Sequence, residues 1–163
     1  MGNIHPTSGG VCGFVNPIRS ASHGPGTRLR ADWRIMCNAE LPPLSVQREP
    51  ATHLEPDILV VPESSRPDRI TPETKWTEYG HAWLVVEVSG KGSRVYDRDY
   101  KVRAYLALGV LEMWRIDLQE RCAYVARKEQ PVLRRPDYLT WHPPGMQEPL
   151  TLSIASLFEG TDS

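Results

Sequence analysis

One carboxylate stands where its surroundings call for an apolar residue, and another stands just before a second apolar run. Asp57 follows Pro56 and precedes "ILVV", and Glu87 sits inside "WLVVEV", thirty positions later (87 − 57). A carboxylate within a buried run is costly unless it is paired or bound to a cation. Two strands joined by such a connection can lie side by side, which would bring both acids to one place. Paired hard oxygen ligands suit Mg²⁺, which takes one or two carboxylates together with waters and phosphate oxygens. Period-two geometry puts Glu87 on the face of Val85, with Val86 and Val88 opposite. A third group follows on a helical stripe, where Ala104, Tyr105 and Leu108 come three, four and seven residues after Lys101. An ammonium there has two destinations. It can reach back over the sheet toward Glu87, orienting a nucleophile and offsetting charge on a pentavalent phosphorus. It can instead pair with Asp97, one turn earlier on the helix flank.

These groups need strands and a helix to hold them. "EPDILVV" (55–61) reads as a short strand stopped by Pro62, and "AWLVVEV" (82–88) as the strongest strand, rich in aromatic and β-branched residues. Between them, residues 62–81 form a polar connection carrying prolines. A helix is expected next, capped at or just before Asp97 and stopped by Gly109. "LEMWRID" (111–117) and "RCAYVAR" (121–127) read as a hairpin across Leu118–Glu120, and "EPLTLSIASLF" (148–158) as a last strand or short helix. Residues 1–50 are rich in Gly, Pro and Ser, with one strand expected at Arg30–Cys37. Strands with a crossover helix imply a mixed sheet in an α/β domain. The expected organisation is an irregular segment at 1–25 and one domain over 26–163.

Composition narrows the function classes. Hydrophobic content of 40% and charged content of 24% describe a globular chain. No apolar run approaches the roughly 20 residues that span a bilayer, and the first residues lack the basic-then-apolar order of a secretory signal. Pro6 stands where a myristoylation motif after Gly2 would carry Ser or Thr. Cys12, Cys37 and Cys122 form no CxxC pair, which argues against a disulfide framework or zinc site and fits a reducing cytoplasm. The formal net charge is −1, but residues 88–135 hold 11 Lys and Arg against 6 Asp and Glu. That local excess of five (11 − 6) could attract phosphate, or be an ordinary solvated face.

The ordered set of residues resembles a known group. Pro56 and Asp57, then Val85, Val86, Glu87 and Val88, then the D-x-x-x-K-x-x-x-Y spacing of Asp97, Lys101 and Tyr105 are similar to the PD-(D/E)XK nuclease superfamily. Gly109, Val110, Glu112, Trp114, Ile116 and Asp117 extend the likeness to the short bacterial restriction-endonuclease family of the Uma-two type. Coverage is about residues 52–158. The resemblance implies a restriction-endonuclease-like α/β fold, a central mixed β-sheet flanked by helices. It implies Asp57 and Glu87 as metal ligands, with the backbone carbonyl of Val88 as a further one. The superfamily's lysine sits two residues after the acid, where this chain has Ser89. The family instead carries a lysine on the following helix, matched by Lys101, and Lys91 in the glycine loop is the second candidate. The chain departs from the family at "NPIRSASHGPG", where Gly24-Pro25-Gly26 cannot begin the expected helix.

The function implied is Mg²⁺- or Mn²⁺-dependent hydrolysis of DNA phosphodiesters. Asp57, Glu87 and Lys101 would carry it, with Lys91, Arg94 and Arg98 as nucleic-acid contacts. The alternative is an inactive nuclease-fold domain acting in nucleic-acid binding or protein interaction. A phosphodiesterase with a small substrate is a third reading. A cytoplasmic protein without membrane partners is expected, and a homodimer is compatible with it.

Overall fold

Four runs dense in β-branched and aromatic residues, "ILVVP", "LVVEVS", "EMWRID" and "CAYVAR", form the centre of the sheet. A computed structural model describes residues 33–37, 44–46, 52–65, 81–90 and 100–159, with 33–37, 44–46 and 52–53 described by backbone alone. The strands are β1 (Trp33–Cys37), β2 (Leu44–Val46), β3 (Thr52–Leu54), β4 (Ile58–Pro62), β5 (Leu84–Ser89), β6 (Glu112–Asp117), β7 (Cys122–Arg127), β8 (Leu133–Arg135), β9 (Tyr138–Trp141) and β10 (Leu150–Ser153). The helices are α1 (Val102–Ala107) and α2 (Ile154–Leu157). Among the described residues no helix is long and apolar enough to cross a membrane.

Six strands form one sheet in the order β1-β4-β5-β6-β7-β8, with β5 and β6 parallel and every other pair antiparallel. A parallel pair cannot be closed by a tight turn, so the chain crosses over between β5 and β6, and α1 lies on that crossover. This is the expected mixed sheet.

Alternation along the strands divides two cores. Ile58, Val60, Leu84, Val86, Trp114, Ile116, Ala123 and Val125 pack with Leu139, Trp141, Leu152 and Phe158 from the β9–β10–α2 segment. Trp114 and Trp141 meet edge to face, with centroids 6.4 Å apart. On the opposite face Leu59, Val61, Val85, Met113 and Ala126 pack with Tyr105 and Val110 at α1. Both faces of the sheet are therefore covered, and every residue of β6 is buried.

Gly109 ends α1 as expected. Its φ is +88°, its N–H donates to the Leu106 carbonyl, and the Val110 N–H donates to the Tyr105 carbonyl, each at 3.2 Å. That is a Schellman closure, which needs a left-handed residue at this point. The helical conformation already includes Lys101, and the expected cap at Asp97 lies outside the described residues. So does the segment read as irregular at 1–25.

Three local readings change. Strand β4 begins at Ile58, not at residue 55, and includes Pro62, which pairs with Trp33 instead of stopping the strand. The β6–β7 loop is Leu118–Arg121, one residue longer than read, because the pairing ends at Asp117 and Cys122. Asp117 Oδ1 accepts the N–H groups of Gln119 and Glu120 at 3.0 Å, which turns the chain, and Arg121 takes a positive φ. Residues 148–158 supply both the strand β10 and the helix α2, where one or the other was expected.

Candidate active site

The end of the β4–β5 ladder brings the two acids together. Ile58, Leu59 and Val60 stand opposite Val86, Val85 and Leu84. One step further, Asp57 falls opposite Glu87 and Pro56 opposite Val88. Directly opposed residues share a sheet face, so both carboxylates lie on the α1 side. The carbonyls of Trp83 and Ser89 accept from Glu112 and Leu118 on the β6 side, which turns the backbone groups of Val86 and Val88 toward β4. The next rung would join Val88 to Pro56, but proline has no N–H to give. The Val88 carbonyl therefore gets no donor from Pro56, while the Val88 N–H donates to Asp57 Oδ2 at 2.7 Å. The proline ends the ladder, Asp57 takes its place, and the Val88 carbonyl is turned to the same side.

Helix α1 closes the site from above. Tyr105 hydroxyl donates to Glu87 Oε1 at 2.6 Å, and Lys101 Nζ to Glu87 Oε2 at 2.7 Å. Glu87 is 2% exposed and Asp57 9%. Burial pushes the Glu87 carboxyl up to about 7; the Lys101 ammonium pulls it down, and the neighbouring Asp57 carboxylate pushes it up again. Among the described residues, two carboxylates and one ammonium meet in this buried place. A small hard cation fits that donor set of Asp57, Glu87 and the Val88 carbonyl. Among the described residues no group of three or more His, Cys, Asp and Glu forms a richer metal cage.

Of the two destinations open to Lys101, the structure shows the reach to Glu87; Asp97 lies outside the described residues. Lys91, Arg94 and Arg98, the expected nucleic-acid contacts, also lie outside them.

Several polar residues at this sheet face were not singled out as site residues from sequence. Tyr105 was read as a member of the helical stripe and of the D-x-x-x-K-x-x-x-Y spacing, without a role, yet its place four residues after Lys101 is the signal for a shared target. Arg115 stands opposite Glu87 across the β5–β6 pair. It is 4% exposed, and its Nη1 donates to Asp117 Oδ2 at 2.8 Å and to Ser89 Oγ at 3.3 Å. In the sequence it merely alternates with the apolar Trp114 and Ile116 in "WRID". No pattern in the sequence announced that this face would be covered.

A mixed sheet with a crossover helix, and acids at the joined ends of β4 and β5, is the restriction-endonuclease-like α/β fold. Residues 28–157 match the Uma2 family, described as "Putative restriction endonuclease", and the chain belongs to that family. Among solved structures it is similar to the crystal structure of "a putative nuclease belonging to DUF820" from Anabaena variabilis ATCC 29413. The two share 21% identity with a TM-score of 0.62, over 96% of this chain and 82% of that one. No curated protein matches the sequence.

Proposed function

We propose that the chain is a divalent-metal-dependent nuclease that hydrolyses DNA phosphodiester bonds. The observation that carries this reading is the convergence of Lys101 and Tyr105 on Glu87, beside Asp57 at the end of one ladder. Membership of a restriction-endonuclease family supports it.

In this reading Asp57, Glu87 and the Val88 carbonyl hold Mg²⁺ or Mn²⁺. Once bound, the ion supplies Lewis-acid activation and positive charge for the phosphate. Tyr105 fixes the Glu87 carboxylate, since a 2.6 Å bond from a buried hydroxyl leaves that oxygen little freedom. The Lys101 ammonium, 16% exposed, holds the attacking water by hydrogen bonding and offsets charge growing on the phosphate. Burial of the site strengthens both effects by excluding bulk water. Lys91, Arg94 and Arg98 contribute phosphate contacts that position the strand.

A non-catalytic nucleic-acid-binding role is the second reading. The Lys101–Glu87 ion pair favours it, because that pair satisfies the buried acid without a metal. Plasmid nicking with Mg²⁺ and with Mn²⁺, beside Glu87→Ala, separates the two. Nicking by the natural protein and none by the variant supports the nuclease. Retained DNA binding with intact plasmid under both ions supports the second reading.

A further inference from the structure

The registers of four strand pairs place one row of side chains across the α1 face of the sheet. Glu87 stands opposite Arg115, Arg115 opposite Tyr124, and Tyr124 opposite Arg134. Asp57 extends the row on the other side of Glu87. Adjacent strands are spaced by about 4.8 Å, so Arg115 is roughly 5 Å and Arg134 roughly 14 Å along the row from Glu87.

The far half of that row borders a cavity of about 370 Å³. Its floor is Met113, Arg115 and Tyr124, Val102 of α1 forms a wall, and Val132 and Arg134 form the rim. Val132 is 53% exposed and the Arg134 side chain 52%, so the cavity opens to solvent there.

Arg115 is the unusual group in it. Its guanidinium lies 4.0 Å from the centroid of the Tyr124 ring, and Nη1 is committed to Asp117 and Ser89. Nε and Nη2, side by side on another edge of the group, have no acceptor among the described residues, although the residue is 4% exposed. Buried donors without acceptors are costly, and guanidinium donors more so. Two parallel N–H groups match two adjacent acceptors on a planar partner. The apolar wall and floor from Val102 and Met113 suit the faces of a flat ring better than a lone phosphate.

We infer that this cavity receives one unpaired nucleobase of the strand whose phosphate lies at Asp57 and Glu87, with the open edge of Arg115 bonded to two adjacent base acceptors. Guanine offers O6 and N7. An unpaired cytosine offers N3 and O2. Adenine and thymine set a donor beside each acceptor on the edges available, and a second N–H group would meet that donor. Arg134 at the rim takes the phosphate of the same nucleotide. The inference rests on the nuclease reading.

Fluorescein-labelled thymidine 12-mers carrying one central guanine, cytosine, adenine or thymine test it, with binding measured by anisotropy in chelator. The guanine or cytosine strand should bind roughly tenfold or more tightly than the other two. Val132→Trp fills the rim from an exposed position, and Arg115→Lys keeps the charge beside Asp117 but removes the paired donors. Each should abolish the preference. If Arg115→Lys fails to fold, Val132→Trp decides alone. Equal affinity for all four strands, or a preference that survives Val132→Trp, overturns the inference. Cleavage of the same strands with Mg²⁺ separates it from the nuclease reading. Cutting without base-selective binding leaves a nuclease without this subsite, whereas selective, Val132-dependent binding without cutting keeps the subsite and removes the nuclease.

Discussion

The Lys101 ammonium rests 2.7 Å from Glu87 Oε2, and the two residues are fourteen positions apart, on the crossover helix and on the strand before it. The contact therefore depends on how the crossover lays α1 across the sheet. It ties the candidate nucleophile-orienting group to the candidate metal ligand.

Lys101→Ala should lower the cleavage rate by roughly 10²–10³, the loss of about 3–4 kcal/mol of transition-state stabilisation. DNA affinity in chelator should hardly change. Single-turnover cleavage beside equilibrium binding checks both, with Lys91→Ala as the control. A Lys101→Ala protein that still cuts, beside a Lys91→Ala protein that does not, would move the role to Lys91.

Glu87 sets a pH dependence of stability. Its carboxyl is pushed up to about 7 in the fold from an ordinary 4.5, so between those values the native state keeps a proton that the unfolded chain releases. This contribution to stability is fullest below about pH 4.5 and is lost as pH rises through 7, by roughly 3 kcal/mol. Glu87→Gln cannot ionise and should flatten that part of the profile. Urea unfolding of both proteins in chelator, from pH 4.5 to pH 8, checks it. At the upper end the variant should be no less stable than the natural protein.

Divalent metal should stabilise the natural fold, by about 2.7 kcal/mol at a hundred times Kd. Asp57→Asn keeps an oxygen for the Val88 N–H but removes the charge, and should lose most of that gain. Melting with Mg²⁺ or Mn²⁺ and again with chelator gives the comparison. An equal rise in Tm for both proteins would place the ion away from Asp57.

Tyr105→Phe removes one buried donor from Glu87 Oε1. The expected cost is about 1–3 kcal/mol of stability, together with a further rise in the Glu87 carboxyl, since the hydroxyl lowers it. The Glu87-dependent fall in stability should therefore move to higher pH, measured in the same unfolding series.

Gly109→Ala tests the helix stop. An added Cβ would come within 2.8 Å of His81 Nδ1, at a residue whose φ is +88°. A loss of roughly 1–2 kcal/mol is expected from the left-handed conformation alone. The close contact adds to it.

Local and periodic features were readable from residues 54–158. The runs that became β4 to β7 announced themselves by alternation and β-branching, and Gly109 by its place after a helical stripe. β8 and β9 did not. "LRR" and "YLTW" are short and partly exposed, so neither carries enough apolar residues to show a period.

The sequence by itself determined that Glu87 would stand inside a strand and Asp57 beside another, and which helical stripe held Lys101 and Tyr105. Each of these follows from chemistry within a few residues. Only the tertiary structure decided that Lys101 meets Glu87, and that Asp57, Glu87, Arg115, Tyr124 and Arg134 fall in one row. That row needs a strand order and four registers set by contacts between distant segments. Burial of Arg115 needs its own face of the sheet covered, a condition met only once α1 has packed there.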